Sequence, residues 1–169
     1  MNPEYIIDQL KKNSEVFSSI LKTETKDQFL WKQSPEKWCL LEIVCHLYDE
    51  EREDFRARVK HSLENPDLPL KPIAPKEWVK ERKYIEQDFL KVLNNFLEER
   101  ENSIHWLGSL QNPEWYNFIA HPQLGKITAM EFLANWLAHD YLHIRQIIKF
   151  KFDYLRHVSG EGLTYAGEW

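Results

Sequence analysis

Cysteine is scarce: only Cys39 and Cys45 occur among 169 residues, which excludes a disulfide framework. Six residues apart on one helix, they would point about 240° away from each other, too far round to pair. Unpaired thiols place the chain in the cytoplasm, as an expectation. Glycine is sparse as well. Five glycines among long charged and apolar segments argue for a mostly helical chain. No run of about 18 uncharged apolar residues is present, so no transmembrane helix and no membrane partner is expected. The opening "MNPEYIIDQLKKNSEVF" has neither the basic start nor the apolar core of a signal peptide. The formal charge of −5 is mild, and Lys and Arg are interleaved with Asp and Glu. That pattern speaks against a nucleic-acid partner.

Apolar residues make up 43% of the chain and aromatics 14%, enough for a folded core. The length suits one domain spanning residues 1–169. Asn2-Pro3 reads as a cap followed by proline at the first helical position, opening a helix to about residue 21. Ile6, Leu10, Val16, Phe17 and Ile20 form its apolar stripe. The segment "TETKDQFLWKQSPEKW" reads as a polar link. A second helix is expected over residues 39–63, with Leu40, Ile43, Val44 and Leu47 inward. Its second half, "DEEREDFRARVK", is charged enough to be expected in water.

The stretch "NPDLPLKPIAP" holds four prolines in eleven residues and reads as a loop of the kind that often covers a site. A third helix is expected from residue 75 or 76 to residue 110, with a break near its start. Ile85, Phe89, Val92, Leu93, Phe96 and Ile104 would be its buried face. The connection "EWYNFIAHPQLGKI" follows. Thr128 and Glu131 then match a capping box that opens a fourth helix to about residue 152. Tyr165 and Trp169 in the tail are aromatics available to dock on the body. Four long amphipathic helices make an all-α four-helix bundle the expected architecture.

The chemistry concentrates in "NWLAHDYLHIRQI", residues 135–147. His139 and His143 lie about 40° apart on the fourth helix, on the apolar side with Phe132, Trp136 and Ile147. A lone half-buried histidine ordinarily just bonds a neighbour. Two rings one turn apart both need partners at the same spot, and one divalent ion would satisfy both. A third donor is available in "EIVCHLYDEE": His46 sits beside the apolar stripe of the second helix, with Glu50 one turn on. Cys45, about 100° from His46, reads as core. His61, His105 and His157 lie away from this region, and His121 falls in a loop as a turn or pocket-wall residue. The site is read as His46, His139 and His143, which leaves open positions on an ion such as Zn²⁺.

"SPEKWCLLEIVCHLYDEE" paired with "HPQLGKITAMEFLANWLAHDYLHIRQI" resembles the DinB-like superfamily of metal-binding four-helix bundles, over about residues 38–148. The carrying elements are Trp38 before the second helix, His46-Leu47, the turn from His121-Pro122 to Gly125, and His139-Asp140-x-x-His143. The resemblance implies an up-down-down-up bundle with a three-histidine divalent site at His46, His139 and His143, and dimers are common among such proteins. Bacillithiol S-transferases, mycothiol-dependent maleylpyruvate isomerase and a domain of ergothioneine-synthesis enzymes are relatives. Cys39 departs from the Ser or Thr that often follows the tryptophan, and the activity that needs a second lectin-like domain is not expected.

A three-histidine divalent ion can lower the pKa of bound water to about 7 or hold a thiol as thiolate. The expected function is therefore a metal-dependent thiol S-transferase or a related hydrolase acting on a small molecule. Zn or Ni is the expected ion, with Fe also suited to imidazole, and a low-molecular-weight thiol is the expected cosubstrate. Glu50 is a candidate auxiliary ligand or proton acceptor; its bland alternative is a solvated acid. Asp140 is a candidate to orient a ligand imidazole, against a surface carboxylate with a basic partner. The rival function is a non-catalytic metal-binding or stress-response module, and a metal-free bundle acting through protein contacts is a third.

Overall fold

Asn2 accepts the Glu4 backbone N–H and Pro3 occupies the first turn, so α1 (Pro3–Leu21) starts where a missing proline donor costs nothing. The computed structural model describes residues 2–121 and 124–169. After α1 come a short α2 (Lys26–Leu30), α3 (Leu40–Glu50), a π-helical turn (Glu51–Phe55) and α4 (Arg56–Glu64). Then follow α5 (Pro75–Glu81), a 3₁₀ turn (Tyr84–Glu86), α6 (Phe89–Ser109), the hairpin β1 (Phe118–His121) and β2 (Gly125–Thr128), and α7 (Ala129–Ser159).

α3, the π turn and α4 form one rod, and α1, α6 and α7 are the other three. α1 packs on α6 and α7, and the rod packs on the same two. Asn13 meets Asp140 while Lys151 reaches the Ile20 carbonyl, so α1 and α7 run parallel. Arg100 bonds the Leu10 carbonyl and Phe96 meets Phe17 edge-on, so α6 runs against α1. Glu51 bonds Arg100 and Arg56 bonds Ser103, so the rod is parallel to α6. The order is up-down-down-up, as the resemblance implies.

Among the described residues the core falls into two clusters. One gathers Phe17, Leu40, Ile43, Val44 and Phe96; the other Ile6, Leu10, Val59, Leu133 and Trp136. Between them lies Arg100, 1% exposed. Its guanidinium donates to both Glu51 oxygens at 2.9 and 2.8 Å and to both Asp140 oxygens at 2.7 and 2.8 Å. Trp136 Nε1 donates to Glu51 at 2.9 Å and Asn13 to Asp140 at 3.1 Å. The network joins all four rods.

Several expectations need correction. The second half of the rod does not mostly face water: Asp49, Glu50 and Glu51 are buried. Tyr84 and Arg82 take up Asp49, and Arg100 takes up Glu51, so pairing offsets their desolvation. The link after α1 contains α2, capped by Thr25. The connection before α7, expected as a plain link, contains two strands registered Ile119 to Ile127, a small hairpin on the all-α four-helix bundle. Ile119 and Ile127 turn inward onto the second core cluster. The expected break in the third helix is real, with Lys83 in a left-handed conformation between α5 and the 3₁₀ turn. Val16 and Ile85 are exposed rather than buried. α7 extends to Ser159, seven residues past expectation, where Gly160 at φ 68° ends it. Trp169 packs on Phe152, whereas Tyr165 is exposed.

Replacing Arg100 with Met would leave two buried carboxylates facing each other without their cation. The expected cost is about 3–5 kcal/mol of unfolding free energy, read as a lower urea midpoint at unchanged slope. A loss under about 1 kcal/mol would mean that the network is worth no more than a surface bridge.

Candidate metal centre

His46 lies in the second turn of α3, where nearly every residue is buried; the Glu42 carboxylate fixes the start by accepting the Cys39 N–H at 2.9 Å. His139 and His143 project one turn apart from α7 toward it. The three rings meet edge to edge, with centroids 4.3 to 5.4 Å apart. His139 Nε2 stands 3.3 Å from His46 Nε2 and 3.0 Å from His143 Nε2. These three residues form a group whose donor atoms all lie within 4.8 Å of one another. Ligand nitrogens at about 2.0–2.1 Å from a tetrahedral Zn²⁺ stand roughly 3.4 Å apart, so the donor set fits a divalent ion. The alternative, mutual hydrogen bonding, leaves a ring short: the single Nε2 of His139 faces two partners and can donate to only one.

The opposite ring edges carry the same message. His46 Nδ1 and His143 Nδ1 are buried and have no hydrogen-bond partner among the described residues. Trp38 packs on the His46 ring at 5.0 Å and Phe55, from the π turn, on His139 at 4.8 Å. Burial, with the neighbouring His143 second, pushes His46 down to about 3. Burial and then the two other histidines push His139 down to about 2. His143 is also lowered by burial, against the opposing pull of Gln146 and Asp140. All three are neutral at pH 7, the form that binds metal.

Glu50 is buried, and its carboxylate lies 3.8 Å from His46 Nδ1, across the ring from where the Nε2 atoms meet. It is thus not among the converging donors. Burial, followed by its bond to Asp54, pushes its carboxyl up to about 8, so it carries a proton at neutral pH. Asp140 touches no site imidazole. It is fully buried on Arg100 and Asn13, so neither orientation of a ligand ring nor a surface pair describes it. Being about 100° round from His139, it points between α1 and α6.

The remaining histidines stay apart from the centre. His61 bonds the Leu68 carbonyl, His157 stacks on Trp31, and His121 accepts the Leu124 N–H across its turn. The turn's Pro122 lies outside the described residues. Both thiols are core: burial pushes Cys39 up to about 11 and Cys45 to about 12. Sequence reasoning missed Arg100 and Glu51. A signal existed for Arg100, which continues the Phe89, Val92, Phe96, Ser103, Leu107 stripe of α6.

Among the described residues, two cavities reach the histidines, both with Trp38 in their walls. One, of about 500 Å³, includes His143, Trp31 and Phe150 in its wall. The other, of about 520 Å³, is lined by His46, Trp38 and residues 74–77, so the end of the proline-rich loop does border the site.

The sequence matches the family model of the DinB superfamily over residues 9–147. Among solved structures the fold is similar to YfiT from Bacillus subtilis, described as a probable metal-dependent hydrolase with an unusual four-helix bundle topology. That likeness has a TM-score of 0.78 at 19% identity and covers 95% of this chain and 89% of the other. No curated protein matches the sequence.

The buried titrations fix a pH profile for the metal-free protein. Histidines titrate near 6.5 when unfolded and near 2 to 3 at His139 and His46 when folded. The unfolded chain thus binds more protons in that window, and stability falls as pH drops below about 6.5. Glu50 works oppositely: its folded value, about 8, lies above the unfolded 4.5, so its contribution is lost as pH rises toward 8. Urea midpoints should peak at about pH 6–7. Glu50→Gln should flatten the alkaline limb alone; an acid limb beginning only below about pH 4 would contradict the neutral, buried rings.

Proposed function

We propose a function that proceeds from one premise: the chain belongs to the DinB superfamily. It is a metal-dependent enzyme in which His46, His139 and His143 hold a divalent ion through Nε2, with Zn²⁺ or Ni²⁺ the best suited and Fe²⁺ also compatible with imidazole. The observation that carries this reading is the convergence of three neutral Nε2 atoms from two rods, with cavities on both sides. When bound, such an ion supplies Lewis acidity that lowers the pKa of a thiol or water ligand toward neutrality.

The protein's own groups do the rest. Trp38 and Phe55 cover the rings and keep bulk water from the imidazoles. Glu50 faces His46 Nδ1, where accepting its N–H on approach would fix the tautomer that frees Nε2. We assign it that orienting role in place of direct ligation. Asp140 acts one step further out, holding the rotation of α7 through Arg100. The reaction that suits two cavities is transfer of a low-molecular-weight thiol onto an electrophile, with hydrolysis as its one-substrate counterpart. The substrate is a small molecule rather than nucleic acid or lipid, and the working form is a cytoplasmic homodimer. Among the described residues no helix is long and apolar enough to cross a membrane. A non-catalytic module would be favoured by a sealed cluster, and this one is reached from both sides.

Metal analysis of purified protein should give about one divalent ion per chain, lost in His46→Ala and His143→Ala. Wild-type metal retained by both variants would rule out the ligand set. Glu50→Ala, which removes the acceptor beside His46 Nδ1, should keep its ion but bind it about 10–100-fold more weakly in a chelator competition. With cysteine as the thiol and a chlorodinitroaromatic as the electrophile, turnover should require the ion. Full loading without turnover of any small thiol or ester would return the chain to the binding-module reading.

A further inference from the structure

We propose that the cavity beside His143 is a binding site for an anionic small molecule with an apolar body, its carboxylate held between Lys37 and Arg145. The inference deepens the metal-dependent reading, because the cavity shares the His143 wall. Its volume, about 500 Å³, is that of a small-molecule pocket. Trp31, Trp38, Leu142 and Phe150 supply an apolar surface suited to an aromatic or aliphatic body.

The charged part of the wall is mostly cationic. Three cations, Lys37, Arg145 and Lys149, face one carboxylate, Asp153, in a chain whose acids outnumber its Lys and Arg by 27 to 22. Lys149 is already bonded to Asp153, which also lies 3.6 Å from Arg156. That pair offers no free charge. Among the described residues the side chains of Lys37 and Arg145 make no hydrogen bond or ion pair. Glu36, the acid next to Lys37, gives its carboxylate to the Ser34 hydroxyl. Two uncommitted cations come from different elements, the segment before α3 and the middle of α7, and both line the cavity that His143 walls. An anion there gains two charge-assisted bonds while its apolar body lies on the indoles. The second cavity, behind His46, has Lys76 and Glu77 in its wall, one of each sign, and gives no such preference. The charged substrate is thereby assigned to the His143 side.

The probe pair is 2-naphthoate and its neutral amide, titrated calorimetrically into the zinc-loaded full chain, with metal content measured on the same samples. Wild type should bind the carboxylate about tenfold tighter than the amide. The double variant Lys37→Ala/Arg145→Ala, at two exposed and unpaired positions, should lose that preference and keep its affinity for the amide. Lys76→Ala should change neither. Equal affinities in wild type would overturn the assignment, as would a preference that survives in the double variant. Failure of the metal reading is separable: a chain that holds no zinc yet prefers naphthoate supports the anion site while the enzyme assignment falls. A zinc-loaded chain without the preference leaves the metal and removes the anion site.

Discussion

Arg100 sits where no water reaches, and its guanidinium satisfies two carboxylates at once. Desolvating three charges costs several kcal/mol per ion, and only close, saturated geometry recovers it. Here four guanidinium–carboxylate bonds span 2.7 to 2.9 Å, and Trp136 and Asn13 add donors to the two acids. The arrangement tolerates little sliding. Glu51 follows His46 by five residues on one rod, and Asp140 adjoins His139 on another. A shift of either rod that separated the imidazoles would first have to break the bonds to Arg100. The alignment of three Nε2 atoms is therefore inherited from a charge network that never touches them.

The π turn belongs to the same logic. The Arg56 N–H reaches back to the Glu51 carbonyl, which inserts an extra residue at the level of the site. The turn holds Glu51 inward against Arg100 and sets Phe55 against the His139 ring. Such local widening of a helix is an uncommon conformation, and it occurs where the rod must serve the network on one flank and the histidines on the other.

Much of this was legible in the residues, and the reasons differ by element. Caps marked α1 and α7 because Asn2-Pro3 and Thr128-x-x-Glu131 answer orphaned backbone donors wherever they occur. The histidine pair could be placed on one face because helical periodicity alone sets that angle, and His46 because it flanks an apolar stripe. What stayed hidden depends on partners distant in sequence. Acids in "DEEREDF" look solvated until Arg82 and Arg100, about 30 and 50 positions later, neutralise them. Asp140 looked like a companion of its histidine neighbours because they share a helix, yet its angle sends it to another rod. The hairpin has only four residues per strand, too short for alternation to stand out, and packing against the core makes it a strand pair.

Neutral, crowded imidazoles are an unstable way to fill space unless something else completes them. The rings of the centre have given up most of their water, and two bury an Nδ1 without a partner among the described residues. A buried polar atom left so costs about 1–3 kcal/mol. A merely structural cluster would be expected to saturate these atoms from the backbone, as His61 and His121 do at their own turns. The centre does the opposite: Nε2 atoms face one another across about 3 Å, with a protonated Glu50 behind one ring and an indole in front. His46, His139 and His143 would hold a divalent ion through Nε2, which would leave each ring's proton on Nδ1, where Glu50 faces that of His46. Incomplete hydrogen bonding in the protein alone, beside cavities on two sides, is what separates a centre built to accept something from a core that is finished.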